Sequence, residues 1–184
     1  MEIRKYQEKD FEATKYVCIN DMIGRTSDDL IEYVETMFCK YYLEKEPECC
    51  FVAVDENDKP IGYVYGVKDY NKYQSDFGEY LKQIEKINNR KYLTAALTEM
   101  YDHAIYQDTY PAHLHIDILP GYQSKGIGSR LITAFCDYLK SENVRGVMLI
   151  VDTENLDARR FYERNGFILL HDVPTGAAYG KKLI

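Results

Sequence analysis

At 184 residues, with 46% apolar and 29% charged side chains, the chain has the length and balance of one globular domain built on one core, 1–184. Its formal net charge of −7, from 30 acidic and 23 basic residues, disfavours a nucleic-acid partner. No apolar run approaches the roughly 20 residues needed to cross a bilayer, so no membrane partner is expected.

The first ten residues, Met1 to Asp10, are polar and charged and lack the apolar stretch of a secretory signal, which leads to a cytoplasmic expectation. Five cysteines, Cys18, Cys39, Cys49, Cys50 and Cys136, make an odd number without zinc-type spacing. They read as reduced and mostly buried thiols, with a redox-sensitive pair as the rival. The acidic excess lies in residues 1–60, whereas residues 111–184 are close to neutral. That imbalance suits a cationic small substrate and equally suits solvated helix faces.

In chain order, Ile3 to Tyr6 reads as a short strand, and Phe11, Thr14, Cys18 and Met22 recur at helical spacing. Asp28 or Asp29 caps a second helix carrying Leu30, Ile31, Val34, Met37, Phe38 and Tyr41. Cys50 to Val54 and Ile61 to Val67 form a predicted hairpin around the turn formers of 55–60. Residues 69–110 return to a helical period, with Phe77, Tyr80, Leu81, Ile84 and Ile87, a break at Asn88-Asn89, then Leu93, Ala96, Leu97, Met100 and Ala104. This is a tyrosine-rich helical hairpin, read either as core or as a lid over a substrate.

From His113 the chain alternates. Leu114, Ile116 and Ile118 share one strand face, and His113, His115 and Asp117 share the other. A helix carrying Leu131, Ile132, Phe135 and Leu139 follows, then a buried strand at Val147 to Val151 and a short helix at Ala158 to Arg164. Two last strands, Phe167 to Val173 and Ala178 to Leu183, flank Pro174-Thr-Gly176.

Between the strand ending at Leu119 and the next helix stands Gln123-Ser-Lys-Gly-Ile-Gly128, followed by Ser129. The first amides of a helix have no internal partner and carry the positive end of its dipole, so Gln123, Ser124, Lys125, Gly126, Ile127, Gly128 and Ser129 suit a pyrophosphate. The run is neither a Walker A loop nor Gly-x-Gly-x-x-Gly, and alone it is also an ordinary glycine-rich turn. Thirty-two residues on comes Asn155-Leu-Asp-Ala-Arg-Arg-Phe-Tyr-Glu-Arg-Asn-Gly-Phe167.

The two motifs together, in this order and with this spacing, resemble the GNAT family of N-acetyltransferases, and the resemblance covers essentially the whole chain. It implies an α/β fold with a central twisted mixed sheet of about seven strands, helices on both faces, splayed fourth and fifth strands, and a helical insert, 69–110, before the fourth strand. It implies an enzyme that moves an acetyl group from acetyl-CoA to a small-molecule or protein amine by direct attack on the thioester. By the same resemblance the glycine turn holds the CoA pyrophosphate, Asn155 and Ala158 lie along the pantetheine arm, and the main chain of Ile116 and Ile118 meets the pantetheine and thioester. For Asn155 a plain helix cap is the rival. Tyr162 matches the family tyrosine near the CoA sulfur, where a phenol can return a proton to the thiolate. Asp117 is the catalytic candidate on the acceptor side, with His113 or His115 as alternatives, and no cysteine is expected to act as nucleophile. The segment from Tyr110 to Pro120 is similar to a bacterial branch related to the acetyltransferase-like domain of O-GlcNAcases, whose animal members can lack cofactor binding; here the glycine turn is intact. A homodimer is possible, and no metal is expected. The other readings are an acyl-CoA-binding regulatory module without turnover and a nucleotide-binding protein.

Overall fold

The computed structural model describes residues 1–20, 22–87 and 89–184. Its frame is one seven-stranded sheet in the order β1-β2-β3-β4-β5-β7-β6, with β1 Glu2–Lys5, β2 Phe51–Val54, β3 Pro60–Val67, β4 Ala112–Ile118, β5 Gly146–Val151, β6 Ile168–Val173 and β7 Gly176–Lys182. All neighbours pair antiparallel except β4 and β5, which are parallel. The mixed α/β fold expected from the motifs is the fold observed.

Period-two side-chain alternation divides the sheet between two cores. Val52, Val54, Tyr63, Tyr65 and Val67 turn towards α1 Phe11–Ile19 and the helices that follow it. Phe51, Ala53, Leu114, Val147, Leu149 and Tyr179 turn the other way, towards α7 Ile127–Ser141 and α8 Leu156–Arg164. Among the described residues, no helix is long and apolar enough to cross a membrane.

The second predicted helix is longer and less regular than its periodicity implies. α2 Asp28–Glu35, whose Ser27 cap accepts from the Leu30 amide, runs into a π turn over Thr36–Lys40 and then into α3 Tyr41–Lys45. Such a turn inserts extra residues and rotates the helix face. As a result Tyr41, Tyr42 and Leu43, consecutive in sequence, are all buried.

Residues 69–110 contain three helices rather than a hairpin of two: α4 Tyr70–Asp76, α5 Gly78–Lys86 and α6 Arg90–Ala104. The extra boundary is at Phe77-Gly78. Half of the predicted break, Asn88, lies outside the described residues, while Asn89 caps α6 by accepting from the Lys91 amide at 3.1 Å. The aromatic side chains of α4 and α5, Tyr70, Tyr73 and Tyr80, point inward, whereas Tyr101 on α6 is exposed. Phe77 is fully buried, with ring centroids 4.8 Å from Tyr73, 5.3 Å from Tyr80 and 5.6 Å from Tyr41. Phe77→Ala is therefore expected to cost about 3–5 kcal/mol, read as a lower urea midpoint at unchanged slope; a loss below about 1 kcal/mol would show that the insert is not part of the core.

Candidate active site

β4 is held unequally by its neighbours. It pairs with β3 through six residues, from Gly62↔Ile118 to Val67↔His113, but with β5 only at Ala112↔Val147 and His113↔Met148. The Leu119 amide donates to the Ile61 carbonyl at 2.9 Å. In an antiparallel ladder the polar groups of alternate residues point to opposite edges, so those of His113, His115 and Asp117 point to β3 and those of Leu114, Ile116 and Ile118 point to β5. Beyond His113 the second set faces a cleft between diverging strands.

At the mouth of that cleft the chain turns through Gly121, φ +85°, Ser124, φ +60°, and Gly126, φ +76°, before α7 begins. The first turn of α7 has no side-chain cap, although Gly126 occupies the cap position. Its amides and dipole are thus available to an anion. Gln123, Ser124, Lys125 and Gly126 are exposed, Ser129 is half-buried, and Ile127 and Gly128 are buried. The two motif glycines differ in purpose. Gly126 is demanded by its left-handed backbone, whereas a Cβ at Gly128 would come within 2.9 Å of the Phe161 ring. Gly128 therefore seats α8 against α7. Lys125 donates to the Gly121 carbonyl at 2.7 Å and braces the turn.

On α8, Asn155, Ala158 and Tyr162 fall at positions i, i+3 and i+7, one helix face. Asn155 Oδ1 accepts from the Ala158 amide at 3.1 Å, so it is the cap of α8. Tyr162 is 9% exposed. Burial, and then the charge of Asp117, pushes its phenol above its ordinary value, which keeps it protonated and able to donate. That coupling brings the two predicted catalytic residues within electrostatic reach of each other.

Ile118 does not present a free main chain. Its amide donates to Asp117 Oδ1 at 2.7 Å and its carbonyl accepts from Gln123 Nε2 at 2.9 Å. Ile116, two residues earlier, has the same outward orientation within the unpaired part of β4.

The other face of β4 is enclosed by the helical side. His113 is 2% exposed, so it is an interior residue and does not line an open cleft; His115 and Asp117 are half-buried. Tyr42 was not anticipated as a partner of this face. Its hydroxyl lies 2.9 Å from His113 Nε2 and 3.0 Å from His115 Nε2. Phe38 packs edge-on against His115 at 5.0 Å. Burial, then His103, pushes His115 down to about 3, and burial, then His103 and His115, holds His113 well below its ordinary value. Cys18 sits near this corner, its thiol lowered chiefly by a hydrogen bond with Cys39 while the Asp117 charge opposes that shift. All five cysteines are free thiols. Glu46, Glu48 and Cys49 bring three potential metal donors together, but Glu46 is committed to Lys72 at 2.5 Å and to the Cys49 thiol at 3.8 Å.

A family model described as the acetyltransferase (GNAT) family matches residues 18–167. The chain belongs to that family. It is an enzyme of the N-acetyltransferase class, for which acetyl-CoA is the donor. The sequence is 29% identical over 161 residues to an uncharacterized N-acetyltransferase of Methanocaldococcus jannaschii, an alignment covering 77% of this chain and 58% of that protein. The crystal structure of SsHAT superposes with a TM-score of 0.86 at 27% identity, covering 100% of this chain and 98% of the other. The PaiA N-acetyltransferase of Thermoplasma acidophilum, solved in complex with coenzyme A, gives a TM-score of 0.59 at 18% identity over 98% of each chain.

Two measurements test this geometry. Asn155→Ala should lose about 1 kcal/mol of stability without ligand, and Asn155→Ser most of that less, because the side chain caps α8; unchanged urea midpoints would refute the cap. For acid sensitivity, His113 stays neutral when folded but binds a proton near pH 6.5 when unfolded. Its contribution is thus complete above about pH 6.5 and declines below it, by at most about 1.4 kcal/mol per pH unit. Melting temperatures taken from pH 7.5 to 5.5 should fall less steeply in His113→Gln, and identical slopes would contradict a neutral buried histidine.

Proposed function

We propose that the chain transfers an acetyl group from acetyl-CoA to an amine held against the His115 and Asp117 side of β4. The observation that carries this reading is the divergence of β4 from β5 after two residue pairs, next to an uncapped helix mouth. The main-chain amides from Gln123 through Ser129 would hold the pyrophosphate, with Asn155, Ala158 and Tyr162 along the pantetheine arm and the main chain of Ile116 and Ile118 beside the thioester. Acetyl-CoA supplies an activated acyl group on a good leaving thiolate.

The residues of the chain divide the proton chemistry. An alkylammonium must lose one proton before its nitrogen can attack. Asp117 attracts the cation and takes that proton. Tyr162, kept protonated by burial and by Asp117, donates to the departing sulfur. Direct attack needs no cysteine nucleophile and no metal.

Two narrower assignments belong to the same reading. The sequence from Tyr110 to Pro120 supports the bacterial branch related to the O-GlcNAcase acetyltransferase-like domain. A homodimer through the C-terminal strands would cover Ile168 and Leu169, 61% and 45% exposed on edge strand β6. Five free thiols suit a reducing compartment such as the cytoplasm.

One feature favours the second reading, an acyl-CoA-binding module without turnover: both main-chain groups of Ile118 are already engaged, by Asp117 and Gln123. Free thiol released from acetyl-CoA across a panel of polyamines, amino sugars, amino acids and peptides separates the two. Turnover on at least one amine is expected, with Tyr162→Phe lowering kcat by about 10²-fold and leaving the KM for acetyl-CoA within a few-fold. Calorimetric binding of acetyl-CoA with no turnover on any amine would favour the module instead.

A further inference from the structure

Tyr63 and Tyr65 occupy alternate positions of β3, so both side chains leave the same face of the sheet, and their rings stack at 3.7 Å with 11° between the planes. Each hydroxyl meets a thiol. Cys18, on α1, hydrogen-bonds with Tyr63, and Cys39, in the π turn, has its sulfur 3.9 Å from the Tyr65 hydroxyl. Two stacked phenols thus bring together two sulfurs from different elements, and the two thiols are hydrogen-bonded to each other. The chemistry above gives this pair no role.

The other three thiols are placed differently. Cys49 and Cys50 are adjacent in sequence, yet Cys50 enters the core beneath α1 to α6 and Cys49 the core beneath α7 and α8. Cys50 Sγ lies 3.5 Å from the carbonyl oxygens of Tyr42 and Glu46, and Cys49 Sγ lies 3.8 Å from Glu46 Oε2. Cys136 is buried in the same core as Cys49. Burial raises all three thiols, Cys49 to about 12. Cys18 is instead half-buried. Its thiol is lowered, chiefly by the hydrogen bond with Cys39 and also by that with Tyr63, against burial and the charges of Asp117 and Glu35. Cys39 has no exposed surface, and its thiol is raised, chiefly by the hydrogen bond with Cys18 and then by burial.

We infer that Cys18 and Cys39 form a reversible redox site, in which Cys18 meets a peroxide first and Cys39 then closes a disulfide between α1 and the π turn. Exposure sets this order, because a solute reaches the half-buried sulfur and not the enclosed one. The thiolate is the attacking species. Cys18 loses its proton to water, its sulfur bonds to one peroxide oxygen, the O–O bond breaks and hydroxide leaves, so Cys18 becomes a sulfenic acid. The Cys39 sulfur then attacks the Cys18 sulfur. The S–S bond forms, the S–O bond breaks, and the Cys39 proton leaves with the hydroxide as water. Each sulfur gives up one electron and the peroxide takes two. A small-molecule dithiol returns both electrons through a mixed disulfide and restores the two thiols.

A bridge of this kind is transient in a reducing compartment, where disulfides serve sensing rather than structure. Its place in the fold is specific. Tyr63 is opposite Asp117 across the β3–β4 ladder, and Tyr65 is opposite His115, so the dithiol lies on the side of β4 that the reading above assigns to the amine. The inference does not depend on that reading, because its test needs no turnover.

The full-length protein is exposed to hydrogen peroxide, denatured with an alkylating reagent and digested without reduction. Titratable thiols should fall by two, with the protein two hydrogens lighter, and the digest should contain one cross-linked pair of peptides carrying Cys18 and Cys39. A dithiol reagent should reverse all three changes. Loss of Cys18 and Cys39 should run at least about tenfold faster than loss of Cys49, Cys50 or Cys136. The two single variants separate the roles. Cys39→Ser should leave a sulfenic acid on Cys18, captured by a cyclic 1,3-diketone, whereas Cys18→Ser should leave Cys39 unmodified over the same exposure. A bridge joining any other pair, dimers linked between chains, or five intact thiols after free cysteine in the same solution has been oxidised would each overturn the inference. Because the wild-type peptide map decides the bridge without a substitution, a variant that fails to fold leaves the test intact.

Discussion

The site depends on a conflict of loyalties in the sheet. β4 is bound along its length to β3, and β5 is bound along its length to β7 through six residue pairs, Gly146↔Lys182 to Val151↔Ala177. Each strand follows its own antiparallel partner, so the parallel ladder between them ends after two pairs. Main-chain polar groups away from water need partners, and on β4 the shortfall falls at Ile116 and Ile118. The connection from β4 back to α7 passes through left-handed Gly126 and leaves a second set of unpartnered amides at the helix mouth. The cleft is thus an outcome of backbone accounting. Gln123 and Asp117 cover part of that shortfall themselves, through the carbonyl and the amide of Ile118.

Strand alternation then separates the two halves of the chemistry. Leu114, Ile116 and Ile118 turn their side chains to the core beneath α7 and α8, while His113, His115 and Asp117 turn to the side of α1 to α6. The unpaired main chain of β4 faces the cleft towards β5, and its polar side chains face the helical side. Tyr162 reaches this boundary from α8 closely enough for Asp117 to raise its pKa.

Local signals were readable and long-range ones were not. The alternation of 113–118 and the helical period after Gly128 are properties of adjacent residues, and both strand and helix stand where those patterns put them. The insert was divided wrongly because apolar spacing runs unbroken across Phe77-Gly78, and only the ends of α4 and α5 reveal the boundary. The π turn at Thr36–Lys40 was invisible for a related reason: one extra residue in a turn leaves the composition unchanged while rotating Tyr42 inward. Tyr42 meets His113 and His115 across 71 and 73 residues of chain. No spacing rule connects positions so far apart, although the three consecutive apolar residues at 41–43 were a local hint that this helix is not simply amphipathic. Gly128 was legible as a glycine, but its close packing against Phe161 was not, since that neighbour belongs to the other motif.

The tyrosine core also determines how the acceptor wall behaves. A phenylalanine core is held by area alone, but a buried phenol is stabilised by a partner in a fixed direction, which most of these tyrosines find and Tyr41 does not among the described residues. Tyr80 donates to Glu44 at 2.6 Å, Tyr70 to the Met100 carbonyl, Cys39 to Tyr65 at 3.9 Å, and Tyr42 is shared by two histidines. These bonds tie α3 to α5, α4 to α6, the π turn to β3, and α3 to β4. Sliding α4 or α5 outward as a lid would break several of them at once and leave the hydroxyls unpaired in the interior. The insert is therefore a fixed wall, in place before an acceptor arrives. Moving that standing surface would break the hydrogen bonds that join α3 to β4 and α5 and α4 to α6.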